Sequence, residues 1–261
     1  MPSASDEPAV PTGPTAKTIR QRIFALLLAL CLHSFAFSVA YMLPIGGAWG
    51  GRFGTLLHSV TLGTIMVIGS LALAWKDPDK LHTFALRIPR NRRNVAVEIA
   101  VGIGSVFVMY AAVLLFTFAM MALLPSSALE NAAKSKEEAV SQFAQIPIVV
   151  SLAIAACAGI WEELAFRGFL FSRIKALFNV PEPDEDTPRK RGPLLLSILL
   201  CSFFFALGHG YQGPIGLIQT FVAGFALAVL TAWRGSLYAA IAAHVCVDAI
   251  GLVAVHFVKA P

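Results

Sequence analysis

Residues 146–171 read IPIVVSLAIAACAGIWEELAFRGFLF, and this stretch decides what kind of molecule the chain makes. As a helix rising 1.5 Å per residue it is long enough to cross a bilayer core of about 30 Å. It carries no charge before Glu162; then Glu162, Glu163 and Arg167 follow close together. A single charge at mid-membrane costs from about 2.5 kcal/mol upward, so such residues need a partner or a task. Glu163 and Arg167 stand at i and i+4, on one helical face, and pairing is the expected fate of both. Glu162 lies about 100° further around the helix and receives no partner from this run. It is the freer carboxylate and points toward another surface of the bundle.

The rest of the chain has the same character. Of its 261 residues 57% are hydrophobic and 13% charged, against about a quarter charged in a soluble domain. Lipid contact explains the missing charge better than one large core does. Apolar runs long enough to span occur at about 23–44, 54–75, 95–124, 146–171, 193–212, 214–233 and 237–258. The expected fold is therefore an all-α polytopic membrane helix bundle of about seven transmembrane helices. The four cysteines, Cys31, Cys157, Cys201 and Cys246, all fall within apolar runs and read as buried small hydrophobes.

Three regions follow: a tail over 1–22, N-terminal transmembrane helices over 23–145, and a helix core over 146–258. Met1–Thr18 is rich in Pro, Ser, Thr and Ala, the composition of a disordered cytoplasmic tail. Pro181–Arg191 reads as a flexible cytoplasmic loop. The stretch 125–145, with Glu130, Lys134, Lys136, Glu137 and Glu138 among alanines, reads as a short helix at the outer surface.

Basic residues test the arrangement, because Lys and Arg accumulate on the cytoplasmic side. With the N-terminus inside, the inner side holds Lys17, Arg20, Arg22, Lys76, Lys80, Arg87, Arg90, Arg92, Arg93, Arg173, Lys175, Arg189, Lys190, Arg191 and Arg234, and the outer side holds Arg52, Lys134, Lys136 and Lys259. The expectation is a multi-pass protein of the cell (plasma) membrane, N-terminus cytoplasmic and C-terminus outside. The net charge of +5 then belongs to membrane-facing loops, and nucleic acid is not an expected partner.

Two further spans bring ionisable groups into apolar surroundings. The run at 205–210 is FALGHG, placing His209 near the outer end of the fifth span; the run at 243–248 is AHVCVD, placing His244 and Asp248 at i and i+4 on one face of the seventh. His33, His58, His82 and His256 lie elsewhere and read as core or interfacial histidines. Gly102, Gly104 and Gly224 read as helix-packing positions.

Taken in order, Glu162, Glu163 and Arg167, then Phe205 and His209, then His244 and Asp248, resemble the EExxxR, FxxxH and HxxxN/D motifs of the CPBP intramembrane proteases. This is the CAAX protease and bacteriocin-processing, or Abi, family, which includes the type II prenyl endopeptidases. The resemblance covers roughly residues 150–250. It implies an intramembrane endopeptidase with Glu162 as general base toward a water and His209 holding or protonating that water. It further implies Glu163, tied to Arg167, as an orienting acid and His244 as donor to the oxyanion. An ionised Asp248 cannot donate to an oxyanion, so it orients His244 or stays protonated. The implied partners are membrane lipid and a peptide or membrane-protein substrate: a prenylated tail, a leader peptide or another membrane protein.

No cofactor is required by this scheme, but a divalent metal such as zinc would find candidate ligands in Glu163, His209 and His244, with water in the open position. No HExxH helix is present. Two other functions use the same residues: a non-catalytic membrane subunit that binds a peptide or lipidated partner in the same cavity, and a proton-coupled carrier. The carrier lacks the pair of similarly broken helices expected in two related halves.

Overall fold

The computed structural model describes residues 19–42, 54–75, 77, 83–86, 94–180 and 191–258. The tail Met1–Thr18, residues 181–190 of the charged loop and His82 lie outside the described residues. Among the described residues all regular structure is helical. The helices are α1 (Ile19–Met42), α2 (Gly54–Leu73), α3 (Val95–Leu123), α4 (Ser126–Ser141), α5 (Ile148–Glu162), α6 (Phe171–Leu177), α7 (Arg191–Leu207), α8 (Gly213–Arg234) and α9 (Tyr238–Val258). A π-helical segment, Glu163–Leu170, joins α5 to α6 without a break.

Six of these stretches are long and apolar enough to cross a membrane, with Ile148–Leu177 counting as one. The fifth expected span, 193–212, is shorter than the sequence suggested. Helix α7 ends at Leu207, and the chain turns through a 3₁₀ turn at Gly210–Gln212 before Gly213, at φ 75°, turns it into α8. Gly208, Gly210 and Gly213 carry no side chain to favour helix, and Pro214 sits in the first turn of α8, where its fixed φ suits a start. His209 is thus in the turn between two helices and not in a span.

The polar stretch after α3 forms α4, as the spacing predicted, with Ala132 buried beneath it. It packs against α8 and the 3₁₀ turn that follows His209. Elsewhere the packing rests on close backbone approach. A Cβ on Gly159 of α5 would meet the Val245 backbone of α9, 3.0 Å from its nitrogen. Gly102 of α3 lies against the Ala239 carbonyl of α9, so a side chain there would collide with it. Gly104 has nothing within 4 Å; of the two glycines read as packing positions in α3, only Gly102 is one.

Two apolar clusters result. One joins α1, α2, the π segment and α7 around Met66, Phe166, Phe169 and Phe205; the other joins α3, α8 and α9 around Met109, Leu227 and Ala243. Two basic residues assigned to cytoplasmic loops prove to be held within the fold. Arg173 bonds Asp77 at 2.7 Å, and Arg234 grips Glu98 of α3 through two bonds at 2.9 and 2.6 Å. His256, expected at the interface, lies 3.2 Å from the Ser151 hydroxyl of α5.

Candidate active site

The three motif-bearing stretches meet between the two clusters. Glu163 is fully buried and its Oε1 accepts from two partners, Arg167 Nη1 and His244 Nδ1, each at 2.8 Å. The predicted pairing of Glu163 with Arg167 is therefore present, but inside a π-helical turn and not the continuous α-helix that the spacing assumed. Such segments are uncommon and often mark functional sites.

Arg167 is also sequestered. Its guanidinium lies 3.8 Å over the Phe205 ring, and Nη2 donates to the Gly224 carbonyl at 3.2 Å. A Cβ on Gly224 would fall 2.8 Å from Phe205 Cδ1 and 3.1 Å from Arg167 Nη2. The glycine read as a packing position therefore also makes room for the site arginine. Phe205 is the apolar hub of the arrangement, with the rings of Phe166, His209 and His244 at 5.2, 4.8 and 5.8 Å from its own.

Glu162 was expected to face another surface of the bundle, yet both it and Glu163 lie against the His244 ring. Glu162 Oε2 lies 3.8 Å from Nε2 of His209 and 3.8 Å from Nε2 of His244, beyond direct hydrogen bonding. His209 Nδ1 is 3.0 Å from the Phe205 carbonyl. A carbonyl can only accept, so Nδ1 carries the proton and a neutral His209 presents the Nε2 lone pair toward Glu162. The Tyr211 ring stacks on His209 at 6.0 Å. Asp248 stands 3.5 Å from His244 Nε2, its side chain 34% exposed, and is the most open group of the cluster. All seven residues singled out from the sequence are thus brought together.

The proposed metal candidates are not arranged as a ligand set. Glu163 Oε1 is taken by Arg167 and His244, and among the described residues no group of three or more His, Cys, Asp or Glu side chains could hold one ion. Sequence reasoning gave Gly224 a packing role only and missed the two buried acids Asp77 and Glu98. Glu98 sits near the start of an apolar run, and the cost of a charge there was the signal that it needed a partner.

The fold and site define an integral multi-pass membrane protein with a buried cluster of carboxylates and histidines. The family model described as type II CAAX prenyl endopeptidase Rce1-like matches residues 144–250, and over this stretch the chain is similar to that family. No curated protein and no solved structure matches the chain.

Proposed function

We propose that the protein hydrolyses a peptide bond of a membrane-associated substrate by means of a water activated between Glu162 and His209. The observation that carries this reading is the position of Glu162 Oε2, 3.8 Å from two imidazole nitrogens and without a hydrogen-bond partner of its own. Separations of that size are bridged by one water. Glu162 takes a proton as the water oxygen bonds to the substrate carbonyl carbon, and that proton passes to the amine nitrogen as the peptide bond breaks. His209, fixed by the Phe205 carbonyl, holds the water through Nε2.

His244 in its doubly protonated form donates to Glu163 through Nδ1 and offers Nε2–H to the oxyanion, a contribution often worth about 3 kcal/mol. Asp248 orients that ring, and Glu163 with Arg167 fixes it from the other side. In this reading residues 146–258 are the catalytic helix core, 23–145 are supporting transmembrane helices, and the N-terminus is cytoplasmic in the plasma membrane. The substrate is a prenylated tail, a leader peptide or another membrane protein.

Glu162→Gln keeps the side chain's shape and removes the base, which makes it a trap. Proteins that copurify with this variant but not with wild type, and whose fragments accumulate in wild-type membranes, are the expected result. Equal fragment levels in membranes carrying wild type and Glu162→Gln would overturn the reading.

A further inference from the structure

The connection between α2 and α3 takes no part in the reaction above, yet it grips both elements that meet at Glu163. Asp77 accepts from Arg173 at 2.7 and 3.4 Å and from Thr83 at 3.1 Å. Arg173 lies 4.7 Å over the Phe169 ring, and Phe84 stacks on the same ring at 6.0 Å and 22°. Phe169 therefore has contacts to both a guanidinium and a ring held by this connection. One residue earlier, a Cβ on Gly168 would lie 3.1 Å from the Phe84 carbonyl oxygen and 3.3 Å from Leu237. Ala85, in the left-handed region at φ 51°, accepts from the Leu237 amide at 2.8 Å, just ahead of α9.

We infer that this connection is a positioning clasp, in which Asp77 and Phe84 hold the π-helical segment and Ala85 holds the start of α9, so that Glu163 and His244 meet. The physical reason is that a π-helical run is poorly favoured on its own and needs outside contacts to persist. The clasp contacts lie at Gly168 and Phe169, in the later half of that run. Relaxation toward ordinary α-helix would rotate Glu163 and Arg167 relative to one another and to His244. Asp77, Arg173 and Phe84 are positioning residues and touch no reacting group. Their effect on turnover rests on the proposed roles of Glu162, Glu163, His209 and His244; their effect on the Glu163–His244 bond does not.

The test uses the full chain, labelled with ¹⁵N-histidine in lipid nanodiscs, as wild type, Asp77→Asn, Arg173→Gln and the charge-exchanged double variant Asp77→Arg with Arg173→Asp. The His244 Nδ1–H resonance, assigned by its loss in His244→Asn, reports the bond to Glu163. It is expected to move in both single variants and to return toward the wild-type position in the double. With any substrate that wild type cleaves and Glu162→Gln does not, kcat should fall about tenfold in the single variants while KM stays within about twofold. Loss of thermal stability with the resonance and kcat unchanged would reduce the clasp to an ordinary structural bridge and overturn the proposal. If Arg173→Gln does not fold, Asp77→Asn decides. Absence of any cleavage by wild type counts against the site reading alone, because the resonance still decides the clasp.

Discussion

Glu163 accepts from Arg167 and from His244 on the same oxygen, which makes it the residue that ties two spans together. The link between Glu163 and Arg167 was legible because residues four apart on a helix face one another. The links from Asp77 to Arg173 and from Glu98 to Arg234 join residues 96 and 136 positions apart, and no local spacing encodes them. Arg167→Ala removes one of Glu163's two partners. Breaking a buried pair typically costs about 3–5 kcal/mol, and because His244 still donates, the loss should lie near the lower end, about 3 kcal/mol. Thermal unfolding in detergent is expected to show this, with part of the loss recovered in Arg167→Ala combined with Glu163→Gln and no recovery of cleavage. An Arg167→Ala protein as stable as wild type but inactive would mean that Arg167 meets substrate directly.

At the scale of elements, the apolar runs predicted where helices lie better than where they end. The expected span at 193–212 was carried past Leu207 over Gly208–Gln212, whereas the backbone turns at the glycines. That early end lets His209 bond the Phe205 carbonyl and face Glu162. The π-helical winding of Glu163–Leu170 had no signature in the pattern, since its residues keep an apolar character compatible with either helix. The two glycines of α3 separate packing from mere tolerance. Gly102→Ala drives a methyl into the Ala239 carbonyl of α9 and should cost about 1–3 kcal/mol. Gly104→Ala meets nothing and should match or exceed wild-type stability by up to about 1 kcal/mol. Melting temperatures of the two single variants check this, and equal losses would mean that α3 does not pack on α9 through Gly102.

For the whole molecule, the membrane character and the grouping of the motifs were legible in the sequence, while the division of charge was only partly so. Arg173, part-buried, and Arg234, buried, are paired with Asp77 and Glu98, and setting these two aside from the fifteen basic residues of the inner side leaves thirteen against four. The bias that motivates a cytoplasmic N-terminus therefore survives. Arg22 bonds the Ala176 carbonyl and Asn179, which sets the start of α1 beside the end of α6, at the same end as the Asp77 and Glu98 pairs; the Ser151 and His256 contact marks the opposite end. In a protein with its four cysteines replaced, single cysteines near Arg93 and Arg191 should be labelled from the cytoplasmic side and one at Pro261 from outside; outside labelling near Arg191 would reverse the assignment. The central claim is that Glu162 and His209 together activate the water that cuts the peptide bond. Its most direct measurement is cleavage of a trapped substrate by purified protein in liposomes, comparing wild type with Glu162→Gln and His209→Ala. The account predicts that Glu162→Gln is slower by about a hundredfold or more and His209→Ala by a similar factor, with both variants folded; cleavage by either variant at the wild-type rate would contradict it.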